Sequence, residues 1–233
     1  MTARIVVLNP NRSSSMTSNV VAAASRVARP GTVLVGRTAD GGPDTVESNA
    51  DEVAGAAAVL AEVTAAEREN RRPDGYVIAC FGDTGLPAAK ERAAGPVVGM
   101  TEAALLTAVL VAQRFCVITM PRRTLAMSDR VVRELGLAHR CLVRAVDEEV
   151  AAVTQGSLQL LAQFRTEARR ALAEDDCEAI VLGCAGLADL AAPLQAELGV
   201  PVIDGVAAAV GMVESLLAQG LTTSRANTYG GTG

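Results

Sequence analysis

The chain has 233 residues, half of them apolar, with a formal charge of −5 and a pI near 5.0. That apolar content excludes an intrinsically disordered chain, and the acidic balance excludes a duplex-binding surface, which needs clustered lysine and arginine. Aromatic residues make up 2% and Trp is absent, so the core must be built mainly from Ala, Val and Leu.

In chain order, the first apolar run is Ile5-Val6-Val7-Leu8, a short β-branched stretch that reads as a buried strand. It is far shorter than the apolar part of a secretory signal and leads straight into polar Asn9-Pro10-Asn11. The turn over 9–17 is dense in polar donors. Asn11 and Thr17 are candidates to hold ligand carbonyl and N–H groups, with helix capping by Ser and Thr as the alternative. The turn matches neither glycine-rich phosphate pattern. A second strand is expected at 32–35 and a helix over 51–71. A third strand at 76–79 ends on Cys80-Phe81-Gly82-Asp83-Thr84-Gly85, followed by a helix over 86–92, a strand at 97–99 and a helix over 102–112. The stretch 103–112 is apolar but well short of the ~20 residues that cross a membrane. Further strands are expected at 115–119, 142–146, 179–182 and 202–203, with a helix over 158–173. Strands alternating with helices in this way imply parallel sheets buried on both faces.

The chain is also written twice. Cys80 and Gly82 recur 104 positions later as Cys184 and Gly186, each pair just after an apolar strand. Pro96-Val97-Val98 returns as Pro201-Val202-Ile203 and Ala103-Ala104 as Ala208-Ala209, both at an offset of 105; Arg4 and its strand match Arg114 and its strand at 110. Common order at a nearly constant offset marks an internal repeat. The fold class is therefore α/β, with two similar lobes related by a pseudo-twofold axis. Each holds a four-stranded parallel sheet flanked by helices, and the active site lies between them, at the carboxyl ends of the strands. The division is 1–111 for the first lobe, 112–205 for the second, a C-terminal helix over 206–221 packing back on the first lobe, and a loose tail over 222–233.

Five cysteines is an odd number, no C-x-x-C pair occurs, and His139 is the single histidine. The expectation is a cytoplasmic protein with no disulfide framework and no protein-bound metal. Cys80 and Cys184 stand where a strand gives way to a glycine turn and a helix. There, free amides and the helix dipole are expected to lower a thiol toward neutrality. Two thiols facing a ligand from opposite sides suit inversion of a carbon acid, one as base and the other as acid, with turn amides holding the enolate. The bland alternative is that both are small apolar fillers. Cys116, Cys141 and Cys177, within or just before strands, read as packing, and His139 as a surface loop residue. Thr119 ends a strand in the position equivalent to Asn9.

These residues resemble the hydantoin and allantoin racemase family of the aspartate/glutamate racemase superfamily. The likeness is carried by Asn9-Pro10-Asn11 with Ser14 and Met16-Thr17, by Gly42-Pro43-x-x-Val46-Glu47-Ser48, by Cys80-Phe81-Gly82-Asp83-x-Gly85-Leu86, and by Val181-Leu182-Gly183-Cys184-Ala185-Gly186. Glu102-Ala103-Ala104 and Pro201-Val202-Ile203-Asp204-Gly205-Val206 add to it. The resemblance implies cofactor-independent racemisation of a 5-substituted hydantoin or allantoin, a neutral five-membered ureide ring, with Cys80 and Cys184 as opposed acid and base. By the same resemblance Asn11, Thr17, Thr119 and the turn residues Phe81, Gly82, Asp83, Ala185 and Gly186 hold the ring, and Val46 touches the C5 substituent. It also implies a homo-oligomer; the acidic charge and the lack of a spanning segment point to no nucleic-acid or membrane partner. The family usually has Pro where this chain has Thr84, a departure that bears on turn stiffness and substrate preference. An aspartate- or glutamate-type racemase, a maleate-type cis-trans isomerase, a non-catalytic binding protein and a thiol redox sensor are the competing readings. No paired-arginine clamp for a free dicarboxylate is evident.

Overall fold

The computed structural model describes residues 2–155 and 158–230. Strands β1 (Arg4–Asn9), β2 (Val33–Thr38), β3 (Gly75–Ile78) and β4 (Val97–Gly99) form one parallel sheet in the order β2-β1-β3-β4. Strands β5 (Phe115–Thr119), β6 (Cys141–Ala145), β7 (Ala179–Gly183) and β8 (Val202–Asp204) form a second in the equivalent order β6-β5-β7-β8. In each sheet the chain runs outward from the first strand to an edge, then returns to the first strand's other side. Loops leaving the first and third strands therefore diverge, and a crevice opens at their carboxyl ends.

The central strands explain their own sequences. Every residue of β3, β5 and β7 is buried, as are the last five of β1, because helices cover both faces. Edge strand β2 is only half-buried, and it runs Val33–Thr38 rather than the 32–35 expected. Its second half, Gly36-Arg37-Thr38, has too little apolar character to read as strand but pairs in register with Val7, Leu8 and Asn9. Gly36 is required there: a Cβ would come 2.9 Å from Thr17 and Val21 of the helix above.

Eight α-helices complete the described fold: α1 (Ser14–Ser25), α2 (Asn49–Ala66), α3 (Leu86–Arg92), α4 (Met100–Val111), α5 (Leu125–Glu134), α6 (Leu158–Glu174), α7 (Ala188–Leu198) and α8 (Gly205–Ala218). Ser13 and Ser48 cap α1 and α2 through their hydroxyls. Asp51 and Glu52 place negative charge in the first turn of α2, where the helix dipole favours it. The outer face of the first sheet packs Val6, Leu8, Tyr76 and Ile78 against Val59 and Val63 of α2.

The two halves exchange their last helices. Ala104, Leu105 and Ala108 of α4 pack with Phe115, Val117, Val181 and Ile203 on the second sheet, so α4 crosses the 111/112 division. Reciprocally, Val206, Val210 and Val213 of α8 join Ile5, Val7 and Val77 of the first sheet in a core that runs on through Ile118, Phe164 and Ile180. The tail is a second difference from expectation. Over 222–230 it is tied down, because Arg225 caps the carboxyl end of α3, donating to the carbonyls of Lys90 (2.9 Å), Glu91 (2.8 Å) and Ala93, while the Thr222 hydroxyl donates to Ala94 O at 2.8 Å. Residues 231–233 of the expected tail lie outside the described residues.

Candidate active site

Cys80 follows β3 at the start of a turn in which Gly82 (φ 103°), Asp83 (φ 52°) and Gly85 (φ 76°) all adopt left-handed backbone. Two glycines and an aspartate carry this conformation at least cost. The turn closes on itself through Asp83 N–H to Cys80 O (3.1 Å) and Leu86 N–H to Asp83 O (2.9 Å). It is then bolted to α4. The Asp83 carboxylate accepts from the amides of Thr101 and Glu102, both at 2.8 Å, and the Gly82 amide donates to Thr101 Oγ1 at 2.8 Å. Helix α4 begins after Gly99, which has no side chain to cap it, so the cysteine turn supplies the cap. A Cβ on Gly99 would lie 2.2 Å from the Asp83 carboxyl, so residue 99 must stay bare for this to happen.

Cys184 follows β7 and leads into a short 3-10 turn, Ala185–Leu187. Here α8 is capped by its own Asp204, whose carboxylate accepts from Val206 N–H at 3.0 Å. The second cysteine turn is therefore held by packing instead: Gly183 lies against Thr119 and Gly186 against Val153, each too close for a Cβ.

The two turns face one cavity between the sheets, lined by Cys80, Phe81, Asn11 and Val46 from the first half and Cys184, Ala185 and Thr119 from the second. Seven of the residues expected at the site thus share one space. Asn11 is held rigidly. Its Oδ1 accepts from Asn9 Nδ2 (2.8 Å) and Ser13 N–H (2.9 Å), leaving Nδ2 against the Met16 sulfur, a weak acceptor that a ligand carbonyl can replace. Thr119 Oγ1 contacts Gly183 O (3.2 Å) and Thr124 Oγ1 (3.3 Å).

Four expected residues stand outside the lining. Thr17 spends its hydroxyl on Ser13 O, Asn9 Nδ2 and Thr38 Oγ1, orienting Asn9 and, through it, Asn11. The Gly82 amide and the Asp83 carboxylate are committed to α4, and Gly186 is wedged against Val153. Sequence reasoning missed part of the wall: Met127 and Ser128 of α5 and Val150 of a 3-10 segment (Val150–Gln155). They lie outside the repeated motifs, so no pattern pointed to them. The two halves also meet at the rim, where Glu47 accepts from Val150 N–H at 3.1 Å and Glu52 pairs with Arg130.

Electrostatics correct the expectation of lowered thiol pKa values. Burial pushes Cys80 up to about 12 and Cys184 up to about 11. The Thr84 hydroxyl and the Gly186 amide act in the opposite direction but are outweighed, because desolvating a thiolate costs more than one weak donor returns. Burial likewise pushes Asp83 up to about 7, opposed by the two α4 amides.

Cys116, Cys141 and Cys177 are all buried, with Cys141 the first residue of β6 rather than preceding it, and His139 is exposed. Cys116, Cys177 and Asp175 bring three potential metal-ligand atoms within 4.8 Å of one another, at the far end of the second sheet from the cavity. Separate positions in the sequence hid this group. Asp175 is already neutralised by Arg144 at 2.5 Å.

A family model described as Asp/Glu/Hydantoin racemase matches residues 5–213. The chain is 42% identical over 227 residues to a hydantoin racemase of Paenarthrobacter aurescens, covering 97% of this chain and 96% of that protein. It superposes on an allantoin racemase from Klebsiella pneumoniae with a TM-score of 0.94 at 44% identity, covering 97% of this chain and 92% of that one. An allantoin racemase from Pseudomonas fluorescens gives 0.92 at 36% identity, over 97% and 95% of the two chains. With its repeated sheets, its paired cysteine turns and this likeness over nearly its whole length, the chain belongs to the Asp/Glu/Hydantoin racemase family.

Proposed function

We propose that this protein racemises a neutral five-membered ureide ring, a 5-substituted hydantoin or allantoin, by passing the C5 proton between Cys80 and Cys184. The observation that carries the reading is the pair of thiols at equivalent turns of two repeated halves, both lining one cavity. In one direction a Cys80 thiolate takes the proton from one face of C5 and the Cys184 thiol returns its own to the other face. The opposite enantiomer reverses the roles, and no net proton is gained or lost. Charge that develops on the ring oxygen in the enolate meets the Asn11 amide, while Thr119 Oγ1, whose proton goes to Gly183 O, offers an acceptor to a ring N–H. Val46, Met127 and Val150 give the C5 substituent an apolar wall.

A neutral ring is favoured over a free dicarboxylate because the cavity lining, among the described residues, includes no arginine, lysine or histidine. Relatives named for hydantoin and for allantoin are about equally similar, so both rings belong to the proposal. A homo-oligomer is part of the same reading, supported by Leu106, Leu110 and Val111, which expose an apolar strip along α4. So is a cytoplasmic location without membrane partners; among the described residues no helix is long and apolar enough to cross a membrane.

The test follows the optical rotation of one enantiomer of 5-benzylhydantoin, and separately of allantoin, in deuterated buffer containing EDTA. Decay to zero with deuterium at C5, lost in Cys80→Ala and in Cys184→Ala while both variants keep the wild-type circular dichroism, is the expected result. No enzyme-dependent decay on either ring overturns the substrate assignment. Full activity in either cysteine variant overturns the two-thiol mechanism.

A further inference from the structure

The two cysteine turns hold equivalent places in the repeat but differ in backbone and in what faces each sulfur. In the second half, the amide of Gly186 favours the Cys184 thiolate. Its counterpart in the first half, the Gly82 amide, is unavailable, because it donates to Thr101 Oγ1 at 2.8 Å as part of the bolt to α4. The Thr84 hydroxyl stands in its place, 3.5 Å from Cys80 Sγ, on a residue that is only 2% exposed. We propose that Thr84 is a positioning residue for the reaction, its hydroxyl replacing the diverted Gly82 amide as the donor that stabilises Cys80 as a thiolate. This inference rests on the assignment of Cys80 as an acid–base group.

The other groups around Cys80 work against ionisation. Asp83 shares its turn, Glu52 faces it from α2 and Cys184 faces it across the cavity; each opposes a negative charge on the sulfur. The carbonyl of Phe81, 3.6 Å from Sγ, accepts from the thiol and repels the thiolate. Thr84 therefore favours one of the two protonation states through which Cys80 must cycle, and Phe81 O favours the other. Removing the hydroxyl takes away a donor to the sulfur and leaves these influences, which hold the proton on, in place. A hydrogen bond to a charged group is worth enough to move the ionisation of a buried thiol by about one pH unit, or about tenfold in thiolate population.

The experiment measures iodoacetamide alkylation of Cys80 against pH in the full-length protein, read by mass spectrometry of the peptide containing it. Wild type, Thr84→Val, Thr84→Ala and Thr84→Ser are compared. Thr84→Val is isosteric and Thr84→Ala guards against a failure of Val to fold; Thr84→Ser keeps the hydroxyl. The expected result is alkylation about tenfold slower at a given pH in Val and Ala, restored to within about twofold in Ser. The same pattern is expected in kcat, with KM changed less than kcat. Wild-type alkylation in a folded Val or Ala variant overturns the proposal, as does a loss that Ser fails to restore. Alkylation reads the thiol without turnover. A protein that racemises neither ring would thus refute the functional reading and leave this measurement to decide on Thr84 separately.

Discussion

The burial of both thiols makes the pH dependence of racemisation a direct test of the site. With Cys184 held near 11 and Cys80 near 12, the thiolate required as base is scarce at neutral pH. At about pH 8 only about one Cys184 in a thousand is ionised, and each pH unit upward multiplies that fraction about tenfold. kcat/KM, which reports the free enzyme, should therefore rise with a slope near one between about pH 6.5 and 8.5, a gain of roughly a hundredfold, after the enzyme-free rate is subtracted. Initial loss of optical rotation at substrate concentrations well below KM measures it. The same shift has a stability consequence of fixed sign. A thiol whose folded pKa is raised above the ordinary value of about 9 contributes stability that is whole below about 9 and is lost as the pH climbs through its folded value. For the buried Cys184 the raised window runs from 9 to about 11, worth roughly 3 kcal/mol. Urea unfolding midpoints should fall across that window in the wild type and fall less in Cys184→Ala. A flat rate profile between about pH 6.5 and 8.5 would refute the argument, since it would require a thiolate already formed at neutrality.

Two further outcomes follow from the geometry. Asp83→Ala removes the carboxylate that accepts two α4 amides at 2.8 Å, and should lower the unfolding free energy by about 2–3 kcal/mol in urea titrations at constant m-value, with kcat reduced more than KM is raised because the Cys80 turn loses its anchor. Glu47→Ala frees Val150 N–H at the rim between the halves, and should raise KM about fivefold with kcat within about twofold in steady-state kinetics.

Much of the fold was legible because the repeat is a repeat of topology. The offsets that pair Cys80 with Cys184 and Pro96 with Pro201 are the spacings of equivalent strands in two sheets of the same order. Apolar runs such as Ile5-Val6-Val7-Leu8 declared central strands because burial on both faces leaves no room for alternation. What stayed hidden depends on contacts between distant segments. The second half of β2 reads as loop until its pairing with β1 is known, and Arg225 reads as a tail residue until the open carbonyls of α3 are found beside it. The lining residues Met127, Ser128 and Val150 carry no local signal, because apolar and small polar side chains become a substrate wall only by facing the cysteines.

The cysteine turns show why sequence symmetry alone overstated the chemistry. Matching Cys-x-Gly patterns suggested two equivalent thiols, each beside free amides at a helix start. Folding uses the first set of groups differently: the Gly82 amide and the Asp83 carboxylate secure α4, whose N-cap residue is glycine, whereas α8 carries Asp204 as its own cap. A helix whose N-cap residue has no side chain thus draws donors and acceptors out of the adjacent turn. The cysteine in that turn must then find its partner in a side chain, which is the position Thr84 occupies.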